Sequence, residues 1–141
     1  MITDTYTWQK RIISCLYIEE IIKDVAETLG IPYEDAMSKS RKRDIMDVRG
    51  LSIKMFIDIG NSELNMGRLF GYTIIKNHFN YGCHATAIGA YNRYTGLIES
   101  KDKQILEKWE LCYPIYEKHK KMYLQRLRSE PLKRDEFYVE G

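Results

Sequence analysis

Two short stretches carry the residues best suited to chemistry. The first is Ser38-Lys39-Ser40-Arg41-Lys42-Arg43, the densest basic cluster in the chain, with no apolar residue inside it. Lys39, Arg41, Lys42 and Arg43 are close enough to neutralise several phosphates of one backbone. Release of the counterions condensed there is the main source of nucleic-acid affinity. The same run also reads as a solvated turn balanced by Asp35, Asp44 and Asp47. The second stretch is His84-Ala85-Thr86, which opens a helical pattern. A helix N-terminus offers free N–H groups and a positive dipole to a phosphate. A Thr hydroxyl bonds to a base or a phosphate, and an Ala or Thr methyl packs on a thymine methyl. The plainer reading is that Thr86 caps the helix and His84 is a surface residue. Asn92 and Arg93 follow two turns on, either on the opposite backbone or facing solvent.

Other chemistry is poorly represented. No carboxylate pair, triad or ligand set stands out, so no enzyme is expected. His78, Cys83 and His84 lack a fourth ligand, and an adjacent Cys–His pair rarely chelates on a helix, so neither a metal nor any other cofactor is expected. Cys83 has no visible base to activate it. The cysteines Cys15, Cys83 and Cys112 are odd in number, widely spaced and form no CxxC pair, which points to a reducing compartment. No phosphate loop of the form GxxxxGK followed by Ser or Thr occurs, so no nucleotide is expected. Met1–Lys10 lacks the pattern of a signal peptide, and no run approaches the roughly 20 apolar residues of a membrane span. The expectation is a cytoplasmic protein. Net charge is only +2 over 141 residues, so the distribution of charge, rather than its sum, has to mark any nucleic-acid surface.

Helical periodicity dominates the elements that must position these residues, and the fold class expected is all-α. Thr7–Tyr17 and Ile18–Leu29 read as one or two helices, with Gly30 as C-cap and Pro32 as a stop. Tyr33–Met37 fits a short helix. Ile45–Ile59 allows a buried helix that Gly50 and the β-branched residues weaken. Gly60-Asn61-Ser62 marks a turn, and Leu64–Phe70 a short helix ended by Gly71. Tyr72–Tyr81 is either a helix or a hairpin-like insertion. Ala85–Ile98 is a helix with Ala87, Ile88, Tyr91, Tyr94 and Ile98 on one side. From Lys101 a helical stripe runs through Ile105, Leu106 and Trp109, is interrupted by Pro114, and resumes over Ile115–Leu127. Tyr17, Tyr91 and Tyr94 fall on apolar faces and belong to the core, whereas Tyr72 and Tyr81 would line a packing surface or DNA.

In this order and with these residues, the stretch from about Ile18 to Ile98 resembles the C-terminal DNA-binding domain of the bacterial replication initiator DnaA, a Trp-repressor-like helix-turn-helix. Val25-Ala26-Glu27, Gly30-Ile31 and Asp35 look like that family's opening "VAE…I…DLLSK". Ser38–Arg43 is similar to its basic loop "SKRRSR", with Arg49 matching an arginine at the start of the next helix. His84-Ala85-Thr86 looks like the His-small-Thr recognition signature, followed by Ala90 and Arg93 where the family has "HACRK". The chain departs from the pattern in four places. Gly82 and Cys83 replace an arginine and an acidic residue, Gly50 a glutamine, and Asp47 an arginine, while about eight extra residues separate Arg49 from His84. Matching Ser62…Met66-Gly67-Arg68-Leu69-Phe70-Gly71 to "SLxxIGxxFG" puts Tyr72–Tyr81 inside the turn. Matching Ile75…Phe79-Asn80-Tyr81-Gly82-Cys83-His84 keeps the turn short. Letter identity favours the former and spacing the latter; the former is the expectation.

The resemblance implies a helix-turn-helix bundle, placed with the N-terminal helix in residues 1–100, while the helical pattern gives an extension over 101–130 and the polar residues a loose tail over 131–141. It implies a double-stranded-DNA-binding protein of replication or transcription without the initiator's ATPase. Lys39, Arg41, Lys42, Arg43 and Arg49 would lie on phosphates and a minor groove, Arg41 foremost. His84, Ala85 and Thr86 would enter the major groove with Arg93 behind them. The alternative is a helical protein–protein adaptor that keeps the fold without DNA binding. The stripe Trp109, Leu111, Ile115, Tyr116 either folds back on Trp8–Leu16 or forms a homodimer interface; folding back is the expectation.

Overall fold

The computed structural model describes residues 17–60 and 68–129. These residues form six helices and no strand. Helix α1 covers 17–29, α2 Tyr33–Ala36, α3 Arg43–Ile59, α4 Arg68–Phe79, α5 His84–Glu99 and α6 Lys103–Ser129. The all-α expectation holds. Thr7–Leu16, Ser62–Gly67 and Pro131–Gly141 lie outside the described residues.

Helix α3 is the centre of the bundle. Val48, Leu51, Ile53, Met55, Phe56 and Ile59 are all buried, on more than one face. A helix that is apolar nearly all round is stable only when neighbours cover it on several sides, and α2, α4, α5 and α6 all pack on α3. Ile18, Ile21, Ile22 and Val25 of α1 join the same core, as do Ile75 of α4, Ala87 and Tyr91 of α5, and Cys112 and Ile115 of α6. Tyr17, Tyr91 and Tyr94 are core residues, as their spacing suggests.

Gly50 sits in the middle of α3, where it weakens a helix in isolation. The structure supplies its reason. A Cβ built there would lie 2.1 Å from Cε2 of Tyr94, so only a glycine lets the α5 ring lie against the α3 backbone.

Three helix ends share one chemistry. Gly30 (φ 73°), Asn80 (φ 57°) and Lys101 (φ 60°) adopt left-handed backbone after α1, α4 and α5. The next residue in each case returns a hydrogen bond five residues back: Ile31 to Ala26, Tyr81 to Lys76 and Asp102 to Leu97.

Two sequence expectations need correction. Gly71 does not end a helix; it is buried inside α4, and the segment 72–79 continues that helix, so it is no insertion in the turn. A glycine terminates a helix only when it takes a positive φ, and here Asn80 does so instead. The connection from α4 to α5 is therefore just residues 80–83. The favoured alignment, which placed Tyr72–Tyr81 inside the turn, fails in this respect, and the short-turn spacing is the one observed. Pro114 likewise does not interrupt α6, which runs through it. Pro114 and Glu110, whose carbonyl loses a donor, are both exposed. Water can serve that carbonyl, while buried Cys112, Ile115 and His119 hold the inner side.

Helix α6 folds back on the bundle. His119, almost wholly buried, places Nε2 2.7 Å from an Asp24 carboxylate oxygen of α1, and Lys118 Nζ lies 3.0 Å from the same oxygen. The Tyr17 ring meets the His119 ring edge-on at 6.1 Å. Burial alone would raise the Asp24 pKa, but the His119 and Lys118 hydrogen bonds and charges outweigh it and hold the carboxyl below its ordinary value.

Gly50→Ala should destabilise the fold by about 1–3 kcal/mol, because overpacking against Tyr94 exceeds the gain in helix propensity. A urea midpoint at or above that of the wild type would contradict the packing. The stabilisation by Asp24, whose folded pKa is depressed, is complete above the ordinary carboxylate value of 3.8 and is lost as pH falls through the folded value. The difference in stability between wild type and Asp24→Asn should thus be full near neutrality and close below about pH 3. A gap that persists unchanged into stronger acid speaks against the anchor.

Candidate functional site

The basic loop is held in one shape by its own serines and by one arginine. Ser38 Oγ donates to the Asp35 carbonyl at 2.6 Å and accepts the Ser40 N–H at 3.2 Å; Ser40 Oγ accepts the Lys42 N–H at 3.2 Å. Short Ser side chains make such turns because they reach their own backbone two residues on. From α3, Arg49 donates one terminal N–H to the Ser38 carbonyl at 2.7 Å and another to the Ser40 carbonyl. Its fork suits two acceptors at once. Arg49 thus acts first as the clamp of the loop.

With the carbonyls drawn inward, the side chains of Lys39, Arg41, Lys42 and Arg43 are exposed. None of the four makes a hydrogen bond or ion pair through its side chain with another described residue. Two of the three aspartates expected to balance them have other partners, whereas Asp35 is exposed and engages Ser38 through its main-chain carbonyl. Asp47 is buried, accepting from the Tyr94 hydroxyl at 2.7 Å and from Lys108 Nζ at 2.6 Å. Asp44 pairs with the same lysine at 3.1 Å. Burial, and then the Asp47 carboxylate, push the Tyr94 phenol far above its usual pKa, so it remains a donor.

The start of α5 is built differently. Its N-cap is Cys83 in extended backbone, with no side-chain cap and no acidic residue in the first turn. Thr86 is therefore not the cap; it and Ala85 are exposed. His84 is half-buried, with Nε2 2.9 Å from Thr73 Oγ1, so its ring ties α5 to α4. Arg93 is exposed on the same helix, without an ion pair among the described residues. Tyr91 and Tyr94 fix the inner face. Tyr91 donates to Asp58 at 2.6 Å, and Lys54 pairs with Asp58 at 2.8 Å.

Loop and helix share one concavity of about 490 Å³. Lys39, Arg41 and Arg49 border it on one side, and Thr86, Gly89 and Arg93 on the other. Its floor is Met46, Ile53, Phe79 and Tyr81, the last two rings stacked at 5.3 Å and 15°. Burial raises the Tyr81 phenol pKa, opposed by the charge of Arg49. Among the described residues, no carboxylate lines the concavity. The expected site residues Lys39, Arg41, Arg49, Thr86 and Arg93 are therefore brought together. Lys42, Arg43, His84 and Ala85 adjoin it in sequence without lining it. Tyr72, the other tyrosine expected at a packing surface or DNA, is buried edge-on to Tyr91 at 6.2 Å.

Sequence reasoning missed Met46, Phe79 and the clamping role of Arg49. The Ser-x-Ser spacing was the one signal for an ordered loop. Among the described residues, no three His, Cys, Asp or Glu side chains gather as a metal site, and no helix is long and apolar enough to cross a membrane.

Arg49→Lys keeps the charge but cannot bridge two carbonyls. It should speed hydrogen exchange at the Ser40 and Lys42 amides while costing no more than about 2 kcal/mol of global stability. Unchanged exchange at both amides would remove the clamp.

No protein-family model matches the chain, and comparison with curated proteins and with solved structures finds no similar one.

Proposed function

We propose that this chain binds double-stranded DNA, with the loop over residues 39–43 on the phosphate backbone and the exposed start of α5 directed into a groove. The observation that carries the reading is the shared concavity. Cations from the loop and from α5 border one surface on which, among the described residues, no carboxylate lies. Three further features support it. The loop cations have no competing ion pair among the described residues. The first turn of α5 presents uncapped N–H groups and small side chains, Ala85 and Thr86, which permit close approach to phosphate and base edges. The four-residue connection 80–83 leaves α4 and α5 packed directly on each other, as a helix-turn-helix requires. Thr86 is then the residue placed to discriminate bases, and Lys39, Arg41, Lys42, Arg43 and Arg93 supply sequence-independent affinity. His84 positions the helix through Thr73, and Arg49 positions the loop. Such a protein would serve as an accessory in replication or transcription.

A helical adaptor for another protein is the second reading, favoured by Leu111 and Tyr113, which are 62% and 43% exposed on α6. The two separate on one titration. Replacing Arg41 and Arg43 by Ala should weaken duplex binding for every sequence and lower the slope of log affinity against log salt by about 2, one unit per lost phosphate contact. Fluorescence anisotropy across a salt series measures both. Equal affinity of the double variant and wild type at low salt would overturn the loop assignment, and absence of any duplex binding would leave the adaptor.

A further inference from the structure

The rim of the concavity suits phosphates, but its floor does not. A paired duplex presents phosphates and groove edges while its base rings stay in the stack. The apolar floor of Met46, Ile53, Phe79 and Tyr81 would meet none of them, and about 490 Å³ would remain between loop and helix. That volume is in the range of small-molecule pockets. We infer that this concavity takes a single unstacked nucleotide, its ring on the Phe79–Tyr81 floor and its phosphate on the Arg41 and Arg93 rim. The inference rests on the nucleic-acid reading above and names a substrate class for the same site.

Three features of the cavity select this ligand. The floor carries the half-buried Tyr81 ring, backed by the nearly buried Phe79 ring stacked on it, and a base stacks on an aromatic face whatever its sequence. The α5 wall is open, because Gly89 has no side chain and a Cβ there would touch nothing within 4 Å, while Ala90 adds only a methyl. A planar ring therefore meets little side-chain bulk at Gly89 and Ala90 of the α5 wall. The rim is cationic, with Lys39 beside Arg41 and, among the described residues, no carboxylate in the lining, and Thr86 also borders the space. A bare phosphate would leave the floor empty, and an uncharged ring would leave the rim unpaired. A nucleotide joins both groups in one ligand. It could come from a strand, where unstacking costs least at a bulge, mismatch or single-stranded position, or from the free mononucleotide pool.

The test compares a fully paired duplex, the same duplex with one extrahelical thymidine, and free thymidine monophosphate. Binding to the whole chain is followed by anisotropy for the duplexes and calorimetry for the nucleotide. The wild type should bind the bulged duplex about tenfold more tightly than the paired one, as expected for one stacked base. Ala90→Leu fills the mouth of the cavity and keeps every cation. It should erase that preference and leave the paired duplex bound as before. If circular dichroism shows this variant unfolded, Met46→Phe narrows the cavity from α3 instead. Preference for the bulge identifies a strand as the source. Binding of thymidine monophosphate that Ala90→Leu abolishes, without a bulge preference, identifies the free nucleotide. Equal binding of both duplexes with no mononucleotide binding overturns the inference and leaves the duplex reading intact, and so does a bulge preference that survives filling of the cavity. No binding to either duplex overturns the duplex reading itself.

Discussion

The arrangement depends first on the buried carboxylate of Asp47. It lies on α3, accepts from Tyr94 of α5 and Lys108 of α6, and so joins three helices at one point. An unpaired carboxylate at that depth would be strongly unfavourable, so the helices must converge with both donors in place. The neighbouring Gly50 makes the convergence possible by admitting the Tyr94 ring against the α3 backbone. The second pair, Tyr91 to Asp58 with Lys54, repeats the same chemistry toward the C-terminal end of α3. With two phenols anchored, α5 cannot rotate about its axis without stranding a carboxylate. This is what holds the exposed residues Ala85, Thr86, Gly89 and Arg93 outward.

Fixing α5 in this way also decides the electrostatics of the loop. In sequence, Asp44 and Asp47 stand within a few residues of Arg41–Arg43 and would be expected to damp them. In the fold, both are drawn to Lys108, which is more than sixty residues away. Burial opposes the charge on Lys108, but the two aspartates outweigh it and hold the ammonium pKa above its ordinary value. The loop cations themselves make no ion pair with these aspartates. Their backbone is ordered beforehand by Ser38, Ser40 and Arg49, so little of the entropy of ordering a loop remains to be lost on binding.

Much of this was legible in the sequence, and the reasons for the rest are physical. The basic run, the Gly30 stop, the short helix at Tyr33 and the helix beginning near His84 are local features, set by propensity and side-chain reach. Gly71 and Pro114 misled because their usual effect is conditional. A glycine in ordinary helical backbone ends nothing, and a proline on an exposed face is tolerated when the opposite face is packed. Asp47 was read as a balance to the basic run and Gly50 as a weak point of its helix, and both as departures from a resemblance. Their roles exist solely through Tyr94 and Lys108, and no spacing rule links residues that far apart. Arg49 was legible as a cation near the loop, but its direction was not, since only the fold shows the two carbonyls in front of it. The floor of the concavity escaped for the same reason: Met46 and Phe79 look like ordinary core residues until α4 and α3 are placed side by side.

Net charge is a poor guide here for a reason the fold makes plain. The chain has 22 Lys and Arg against 20 Asp and Glu, nearly balanced in sum. Several acidic groups are occupied between helices: Asp24 with His119 and Lys118, Asp44 and Asp47 with Lys108. Asp58 and Glu19 pair along their own helices with Lys54 and Lys23. These pairings offset much of the charge of their members, although Asp44 and Asp47 share the one ammonium of Lys108, so the rest of the outer field is set by the residues left without partners. Among the described residues, Lys39, Arg41, Lys42, Arg43 and Arg93 belong to that group, along with others of both signs such as Glu34, Asp35 and Lys76, and these five fall on the loop and on α5. At physiological salt a field extends only about 8 Å. A polyanion approaching this face therefore meets the local cluster rather than the molecular average. A near-neutral chain can in this way present a strongly cationic surface, because the same ion pairs that hold the bundle together remove carboxylates from its neighbourhood.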